Sequence, residues 1–393
     1  MAASRCDSSM RDVFVTGATG FLGRQIARRL LVRPDVRRLY CLVRAQSEGE
    51  GRKRLLDSLG RVLSPDEMAS FGDALVAVPG DLTSEGLGIS SSLRAAIVRD
   101  CRVFLHCAAD VRFNLDLDEA RSRNLGGTKR VVELAMEAHT LERFDWVGTA
   151  FVAGKRRDRV WENDLNHQAG WKNSYEQSKY EAEVWLRAQG DELPLTVFRP
   201  SIIVGESTTG KTSNYGVLYW PVRVYARGWW RTVVGRPDTP IDVVPVDYVA
   251  DAVVALSGPS QAVGGTYHLA AGPGGSLTIA ELGLLLKDYF NGPNLRYIDK
   301  EFFMRWIRPF LDLFLWGKRG RVLKQGGRFF VPYFDGNPIF EVDRTQASLG
   351  PLGLHPPRVE HYITNLLDYC VATDFGRRAM PSIPGQIHSS TDT

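Results

Sequence analysis

Two side chains with complementary acid–base chemistry stand four residues apart in the middle of the sequence. Tyr175 and Lys179 lie in a stretch with helical character that begins at Asn173, so their side chains fall on one face, about one turn apart. A lysine ammonium beside a phenol lowers the pKa of the tyrosine and prepares it for proton transfer nearer neutral pH. The pattern alone is weak, because a tyrosine beside a snorkelling lysine also arises by chance.

A hydroxyl group ends an apolar stretch upstream of this pair. Residues 144–149 are predicted as a buried strand that finishes at Thr149. In a parallel sheet the carboxyl ends of the strands form the edge where ligands bind. We therefore expect Thr149 and Tyr175 to form hydrogen bonds with the same substrate oxygen.

The element that positions this chemistry is predicted at residues 13–23, a strand that runs into glycines 17, 20 and 23 and then a helix. The first glycine permits a tight turn, the second lets the backbone approach a pyrophosphate, and the third lets the helix pack closely on the sheet. The helix N-terminus offers free N–H groups to the phosphates. The spacing favours a dinucleotide site over a plain strand-to-helix turn. The residues assigned to it are Gly17, Thr19, Gly20, Phe21, Leu22 and Gly23.

An arginine ends the second predicted strand, about twenty residues beyond the glycine turn, where a dinucleotide site places its ribose contact. A guanidinium at this position matches a 2′-phosphate, whereas an acidic side chain would accept hydrogen bonds from a free 2′-hydroxyl. Arg44 therefore favours NADPH over NADH, and Arg52 or Arg54 is expected to assist.

Two further strand ends are assigned to the cofactor. Asp81, followed by Leu82, either holds the adenine amino group or caps the next segment, and the sequence leaves both open. Small residues after the fourth strand leave room for the ribose and diphosphate. These are Cys107, Ala108 and Ala109.

Strands alternate with helices along most of the chain, which predicts an α/β fold with a Rossmann-type doubly wound parallel sheet and a smaller, mostly helical C-terminal substrate domain. The predicted boundaries are a flexible N-terminus at 1–11, an NADP-binding domain at 12–205 and 241–271, a substrate-binding domain at 206–240 and 272–376, and a flexible tail at 377–393.

Together these segments resemble the extended short-chain dehydrogenase/reductases, and more closely their fatty acyl-CoA reductase and thioester reductase branch, the male-sterility type. The Ala-Asp-Val-Arg-Phe and Arg-Pro-Ser-Ile-Ile-Val-Gly segments resemble this branch, whereas the glycine turn and the Tyr/Lys pair mark the superfamily. The segments that carry the resemblance cover about two-thirds of the chain and are residues 16–23, 106–113, 124–128, 148–154, 175–179, 199–205 and 244–250.

The resemblance implies roles for individual residues. Thr149, Tyr175 and Lys179 form its catalytic triad, Asn124 supports the triad, and Lys179 also binds the nicotinamide ribose. Many relatives carry serine where this chain has Thr149, which still supplies the hydroxyl. The residues expected to cover the nicotinamide are Pro200, Ser201, Ile202 and Ile203.

The implied reaction is NADPH-dependent reduction of an acyl thioester, carried on coenzyme A or on phosphopantetheine, to an aldehyde. Whether a second reduction gives the alcohol is left open. Two other classes are weighed. The first is a 3-hydroxysteroid or nucleotide-sugar dehydrogenase/epimerase, and the aromatic residues in 215–230 and 302–316 suit an apolar substrate better than a sugar. The second is a non-catalytic NADP-sensing regulator, which would not require Tyr175 and Lys179, so their presence weighs against it.

Residues 205–212 satisfy the P-loop pattern, but a P-loop needs a helix that begins at the lysine, and Asn214, Gly216 and Pro221 follow instead. We interpret the segment as a loop over the substrate, with Lys211 meeting the phosphates of a carrier. The residues assigned to the substrate are Phe151, Lys211, Tyr215 and Tyr219.

An apolar stripe is predicted within 300–316. Packing against the core is the favoured interpretation, with a wall for an acyl chain or a contact with a membrane surface through nearby basic residues as the alternatives. The stripe consists of Phe303, Trp306, Ile307, Phe310, Leu311 and Phe314, and the basic residues are Lys318, Arg319 and Arg321.

Composition narrows the class of protein. The 393 residues are 44% hydrophobic and 24% charged with a net charge of +4, which indicates a globular protein and does not indicate nucleic-acid binding. Five scattered cysteines without metal-ligand spacing favour reduced thiols and a cytoplasmic location, at most peripheral to a membrane. No metal is expected, and the sequence does not predict the oligomeric state.

Overall fold

The computed structural model describes residues 10–229, 231–258, 261, 263–307 and 331–378. The strands in chain order are β1 Arg11–Thr16, β2 Val36–Val43, β3 Leu75–Pro79, β4 Cys101–His106, β5 Arg143–Val147, β6 Arg159–Val160, β7 Leu195–Pro200, β8 Ile202–Val204, β9 Thr232–Val234, β10 Pro240–Ile241, β11 Val243–Pro245, β12 Gly265–Leu269, β13 Leu277–Thr278, β14 Arg296–Ile298 and β15 Ile339–Phe340.

The α-helices surround these strands. They are α1 Phe21–Leu31, α2 Glu48–Leu59, α3 Pro65–Phe71, α4 Ser91–Asp100, α5 Leu117–Arg121, α6 Gly127–Glu137, α7 Ser174–Arg187, α8 Tyr219–Ala226, α9 Val246–Leu256, α10 Ile279–Phe290, α11 Lys300–Phe302, α12 Asp343–Leu349 and α13 Ile363–Ala372. Two π-helical turns follow α5 and α11, at Ser122–Gly126 and Phe303–Ile307.

The main sheet has seven parallel strands in the order β12-β7-β5-β4-β1-β2-β3, which confirms the predicted fold class. The order reverses between β1 and β4. In such sheets a crevice opens outside the carboxyl ends of the strands at this reversal, and ligands bind there. The glycine turn follows β1 at this position.

Both faces of the sheet are covered, which explains why its inner strands are nearly continuous apolar runs. Successive side chains of a strand point to opposite faces. Val13 and Val15 of β1 accordingly pack in a cluster with α1 and α9, whereas Phe14 packs with Phe104, α6 and α7. The alternation fixes the register of β1 and therefore the direction in which the glycine turn leaves it.

A separate hydrophobic cluster is formed by later parts of the chain. It unites α8, α10 and α13 with β11 and includes Trp220, Leu286 and Tyr362. Two-stranded pairs β8–β11, β9–β14 and β10–β13 border it. The division into two domains at the residues given above stays a prediction.

Several predicted elements are divided in the structure. The charged residues 47–69 predict one helix from sequence, but the structure has α2 and α3, because Gly60 ends the first and Ser64 begins the second with a capping box. The apolar run 195–204 predicts one strand, which is interrupted at Ser201 and forms β7 and β8 in different sheets. The helical period of 117–138 predicts one helix, which contains the π-helical turn Ser122–Gly126.

The predicted apolar stripe is only partly within the described residues. Trp306 is 58% exposed and Phe303 is half-buried, so the described part of the stripe does not show the core packing favoured by the sequence. The remaining stripe positions Phe310, Leu311 and Phe314, and basic residues Lys318, Arg319 and Arg321, lie outside the described ranges, as do residues 1–9 and 379–393.

The described residues contain four cysteines, none in a disulfide: Cys41, Cys101, Cys107 and Cys370. None of the described helices has both the length and the apolar character needed to cross a bilayer. Within the same ranges no three His, Cys, Asp or Glu side chains are grouped as metal ligands.

Candidate active site

A cavity of about 640 Å³ lies at the carboxyl ends of the main-sheet strands. It brings together most of the predicted cofactor and catalytic positions, although these come from six separate parts of the chain. The predicted residues that line it are Gly17, Thr19, Gly20, Phe21, Leu22, Gly23, Cys107, Ala108, Ala109, Thr149, Phe151, Tyr175, Lys179, Pro200, Ser201, Ile202, Ile203 and Tyr219.

The glycine turn is a close-packed cradle. Gly17 has φ +80°, and a Cβ on it would lie 2.8 Å from the Ala108 nitrogen. A Cβ on Gly23 would lie 2.0 Å from the Gly17 carbonyl oxygen, because α1 leaves the turn against the backbone of β1. The cradle therefore has no room for side chains at Gly17 and Gly23, as the dinucleotide motif predicts. It directs the N-terminus of α1 into the cavity.

A buried polar chain fixes the strand ends beneath the cradle. Thr16 Oγ1 lies 2.6 Å from His106 Nδ1 and accepts a hydrogen bond from the Ala108 N–H. The other ring nitrogen, Nε2, lies 3.1 Å from Thr128 Oγ1. Burial lowers the pKa of His106 to about 3, so the imidazole is neutral at physiological pH. These bonds join β1, β4 and α6, and the sequence analysis did not identify them.

Helix α7 presents Tyr175, the predicted catalytic tyrosine, at its first turn. The Asn173 side chain caps the helix by accepting a hydrogen bond from the Glu176 N–H at 2.9 Å. Tyr175 follows the cap and lines the cavity together with Thr149. Burial raises the pKa of Tyr175 to about 12, and the Thr149 side chain opposes this rise. The phenol is therefore protonated at neutral pH and available as a hydrogen-bond donor.

Lys179 lies one turn further along the same face of α7. Its Nζ donates a 2.8 Å hydrogen bond to the Val147 carbonyl oxygen and lies 4.0 Å from the centre of the Trp146 ring. Burial lowers the pKa of Lys179 to about 7. The expectation that this ammonium lowers the pKa of Tyr175 is wrong for the described geometry, because Lys179 is directed at β5 and desolvation dominates both groups.

Thr149 is held by the turn that follows β5. Its hydroxyl accepts a 3.2 Å hydrogen bond from the Phe151 N–H and caps the short 3-10 turn Ala150–Ala153. The side chain is 4% exposed. Thr149 and Tyr175 both line the cavity, and their shared contact with a substrate oxygen stays a prediction.

Asn124 lies behind the cavity wall rather than in it. Its Nδ2 donates to Ser178 Oγ at 2.9 Å and to the Asp110 carbonyl oxygen at 3.1 Å, while its Oδ1 accepts from the Asp110 N–H. Ser178 precedes Lys179 in the chain. Asn124 therefore connects the π-helical turn and the loop after β4 to α7.

The residues expected at the adenosine end lie beside the main cavity. Arg44 Nε forms a 3.0 Å ion pair with Asp81, whose other carboxylate oxygen accepts from Thr83, and Leu82 packs against Gly127. Arg54 donates to the Arg44 carbonyl oxygen at 2.9 Å. Asp81 thus caps its own turn, one of the two roles the sequence left open.

A second pocket of about 370 Å³ opens on the outer side of Thr19. Four of the side chains that line it are basic. Arg24 comes from α1, Lys53 and Arg54 come from α2, and Arg61 follows α2. The pocket is lined by Thr19, Arg24, Glu50, Lys53, Arg54, Asp57, Ser58 and Arg61.

The P-loop-like segment does not form a P-loop. No helix begins at Lys211, and the next helix is α8 at Tyr219. Lys211 Nζ donates to the Arg61 carbonyl oxygen at 2.8 Å, and neither Lys211 nor Tyr215 lines the cavity. Tyr219 does line the cavity, and its hydroxyl accepts a hydrogen bond from the Gly205 N–H.

An aromatic wall, of which only Phe151 was predicted from sequence as a substrate contact, lines the cavity near Tyr175. The Phe113 ring centre lies 5.9 Å from that of Tyr175 and 5.8 Å from that of Tyr333, which is stacked on it. Phe151 meets Tyr333 edge-on at 5.5 Å. The Tyr333 hydroxyl donates to the buried Glu176 at 2.6 Å. No local pattern marks Tyr333, which comes from a distant part of the chain.

The chain is similar in sequence to known proteins over almost two-thirds of its length. It is 31% identical over 267 residues to a nonribosomal peptide synthetase of Aspergillus flavus, and 30% identical over 279 residues to a fatty acyl-CoA reductase of Drosophila melanogaster. These matches cover 65% and 62% of this chain. The chain spans only 26% and 53% of the lengths of those two relatives.

A solved structure is similar over nearly the whole chain. The terminal R domain of the myxalamid PKS-NRPS biosynthetic pathway superposes with a TM-score of 0.81 at 26% identity, covering 94% of this chain and 92% of that domain. The family model described as male sterility protein matches residues 15–253, the segment that carries the glycine turn, Thr149, Tyr175 and Lys179. Because this match covers more than half of the sequence, the chain belongs to the male sterility protein family of NAD-binding domains.

Proposed function

We propose that this chain is an NADPH-dependent reductase of acyl thioesters. The observation that carries the proposal is that Thr149, Tyr175 and Lys179 line one cavity together with the glycine cradle. Two hydroxyl donors beside a nicotinamide site suit the reduction of a carbonyl group. The names of the similar proteins, a fatty acyl-CoA reductase and an R domain, support a thioester as the carbonyl compound.

The proposed reaction balances as one thioester, one NADPH and one proton giving one aldehyde, one NADP⁺ and one thiol. NADPH, when bound, supplies the hydride that adds to the carbonyl carbon. The carbonyl oxygen gains negative charge, which Thr149 and Tyr175 stabilise by donating hydrogen bonds. When the carbon–sulfur bond breaks, the electron pair leaves with sulfur, and the thiolate takes the proton.

The chain's residues favour this chemistry in three ways. The raised pKa of Tyr175 keeps its proton on the phenol until charge develops on the substrate oxygen. Burial of Thr149 and Lys179 excludes water and strengthens each electrostatic contact. Asn124 and Trp146 hold Lys179 and its helix in place. The aldehyde can meet the same donors again, so a second reduction to the alcohol is chemically open to this site.

An apolar acyl group fits the substrate end of the cavity. The wall there is formed by Phe113, Phe151 and Tyr333, together with Val217 and Leu218. A sugar would leave its hydroxyl groups facing these rings without partners, which is costly. This observation favours the acyl thioester over the nucleotide-sugar alternative, and the catalytic pair weighs against a regulator without turnover.

The basic groups at the adenosine end support NADPH over NADH. Arg44 and Arg54 lie where the ribose is expected, and Arg24, Lys53 and Arg61 add positive charge around the neighbouring pocket. Guanidinium groups bind phosphate oxygens through paired hydrogen bonds. The 2′-phosphate of NADPH would therefore find partners that NADH cannot use.

Changing Arg44 to glutamine is expected to weaken NADPH binding about tenfold, since a charge-assisted bond to a phosphate contributes roughly 1.5–3 kcal/mol. NADH binding should change little. Titration of both cofactors by protein fluorescence measures the two affinities. Arg236→Gln is the matched control, because it removes an exposed Arg–Asp ion pair outside both pockets. Equal loss of both cofactors in Arg44→Gln would show that Arg44 does not contact the 2′-phosphate.

The lowered pKa of Lys179 predicts a pH dependence. In the free enzyme the fraction of Lys179 that is charged falls as the pH rises through about 7, so kcat/KM should fall in the same range. The phosphates of bound cofactor favour the ammonium, so the corresponding fall in kcat should lie at higher pH. Steady-state rates across this range test the prediction. A kcat/KM that stays flat through pH 7 would contradict the role of the ammonium.

The function is tested by following NADPH absorbance with an acyl-CoA, a free aldehyde, a sterol and a UDP-sugar in parallel. We expect oxidation with the acyl-CoA, with aldehyde or alcohol as the carbon product, and none with the sterol or the sugar. Absence of turnover with every thioester tried, in a protein that binds NADPH, would overturn the proposal. Turnover with free aldehyde measures the second reduction separately.

A further inference from the structure

A group of three guanidinium side chains lies on and near α8, the helix whose first residue, Tyr219, lines the cavity. Arg223 and Arg227 are one turn apart, in α8 and at its C-cap, and Arg377 follows α13. Arg227 and Arg377 share the carboxylate of Asp374, which lies 3.4 Å from Arg227 Nη2 and 4.0 Å from Arg377 Nη1, and this carboxylate also acts on the charge of Arg223. We call Arg223, Arg227 and Arg377 the Arg223 cluster.

Among the described residues, the three positive charges of the Arg223 cluster have one carboxylate partner, Asp374. Burial lowers the pKa of Arg223, and the positive charges of Arg227 and Arg377 lower it further. The Nε of Arg223 is buried and has no hydrogen-bond partner among the described residues. Buried donors are usually paired, and uncompensated guanidinium groups attract anions. The arrangement therefore has the chemistry of an anion site.

The Arg223 cluster is close to the cavity lining. Arg223 lies one turn along α8 from Tyr219, which lines the cavity. Gly376, next to Arg377, is so close to Tyr215 that a Cβ on it would lie 2.4 Å from that ring. Tyr215 is flanked in the chain by two lining residues, Asn214 and Gly216. The cluster therefore lies beside residues that line the cavity.

We propose that the Arg223 cluster binds the phosphate groups at the carrier end of the thioester substrate, an inference that rests on the proposed function. A pantetheine thioester has an apolar acyl end and a phosphorylated end, in coenzyme A and on carrier proteins alike. The aromatic wall would contact the apolar acyl end, and the planar guanidinium groups would donate hydrogen bonds to the phosphate oxygens of the other end. Lys211 suits this role less well, because its Nζ donates a hydrogen bond to the carbonyl oxygen of Arg61, a residue that lines the second pocket.

The experiment compares one acyl group on three carriers: pantetheine, which has no phosphate, 4′-phosphopantetheine and coenzyme A. Arg223→Gln and Arg377→Gln are measured beside wild type, with Arg236→Gln as the control and Lys211→Gln as the rival site. We expect KM to rise about tenfold in both cluster variants for the phosphorylated substrates, as the loss of one charge-assisted bond implies. KM for acyl-pantetheine and all values of kcat should be unchanged.

The pattern of outcomes separates the sources of the phosphate. A KM effect with both phosphorylated substrates assigns the cluster to the pantetheine phosphate, and an effect with coenzyme A alone assigns it to the nucleotide phosphates. Either result supports an anion site. Equal effects on all three substrates, no effect on any, or an effect confined to Lys211→Gln would overturn it. Arg377 is exposed, so its variant keeps the test valid if Arg223→Gln does not fold.

Equilibrium binding of coenzyme A makes the inference testable apart from turnover. Calorimetry on the full chain should show about tenfold weaker binding in both cluster variants than in wild type and in Arg236→Gln. Wild type that binds coenzyme A through the cluster but reduces no thioester would refute the proposed function alone. Turnover by wild type with unchanged coenzyme A binding in the variants would refute this inference alone.

Discussion

Phenylalanine in place of Tyr175 is expected to slow the reduction of an acyl thioester by about 10²–10⁴-fold, the usual contribution of a positioned proton donor. The ring would still fill its place against Phe113, since only the hydroxyl is lost. Binding of NADPH should be nearly unchanged, because the contacts of the glycine cradle do not involve Tyr175. Single-turnover kinetics with NADPH in excess measure the effect on the chemical step.

Tyr225→Phe is the matched control for this variant. Tyr225 is also buried, and its hydroxyl donates one 2.6 Å hydrogen bond, to the Pro293 carbonyl oxygen, but it does not line the cavity. Its loss should leave the rate of the chemical step near the wild-type value. A Tyr175→Phe variant that turns over as fast as Tyr225→Phe would remove Tyr175 as the proton donor.

Alanine in place of Gly23 is expected to weaken NADPH binding by more than about tenfold and to destabilise the fold by roughly 1–3 kcal/mol, as overpacking does. The added methyl group would lie 2.0 Å from the Gly17 oxygen, and backbone cannot move aside as a flexible side chain does. Helix α1 must therefore shift, and its N-terminus no longer faces the phosphates. Cofactor titration and thermal unfolding measure the two effects.

Gly49→Ala provides the control for Gly23→Ala. Gly49 lies in α2, and a Cβ on it would meet nothing within 4 Å. The substitution should leave NADPH binding unchanged and raise helix stability by up to about 1 kcal/mol, because alanine is the better helix former. If Gly23→Ala and Gly49→Ala bind NADPH equally well, the close approach at Gly23 does not matter for the cofactor.

The parts of the site that could be predicted from sequence are those with a local sequence pattern. The glycine spacing, the strand that precedes it and the four-residue separation of Tyr175 and Lys179 depend on neighbours in the chain, and the fold class follows from the alternation of strands and helices. Thr149 could be placed because a parallel sheet puts all its carboxyl strand ends on one edge.

The parts that sequence did not predict depend on packing between distant segments. Tyr333 reaches the cavity from more than 150 residues beyond Glu176, its hydrogen-bond partner, and no periodicity marks it. The pKa of Tyr175 was predicted in the wrong direction because spacing along a helix does not reveal how deeply both groups are buried. The P-loop pattern at 205–212 was correctly set aside because the residues after Lys211 cannot begin a helix.

The ends of helices and strands also differ in whether a local sequence pattern or a long-range contact sets them. The break between α2 and α3 has a local signal, because Ser64 precedes Pro65 and Glu67 completes a capping box. The interruption at Ser201 has no such signal. It arises because β8 leaves the main sheet to pair with β11, a choice that depends on long-range contacts.

In the proposed reaction, hydride passes from the nicotinamide to the thioester carbonyl carbon beside Tyr175. A single-turnover reaction with NADPH dideuterated at nicotinamide C4, followed by mass spectrometry of the carbon product, follows that hydrogen. We expect the wild-type protein to place one deuterium on the former carbonyl carbon of an aldehyde, or two on that carbon where the aldehyde is reduced again to the alcohol, and Tyr175→Phe to give almost no labelled product in the same time. Consumption of NADPH that leaves this carbon unlabelled, or equal labelling by the two proteins, would refute hydride transfer at this position.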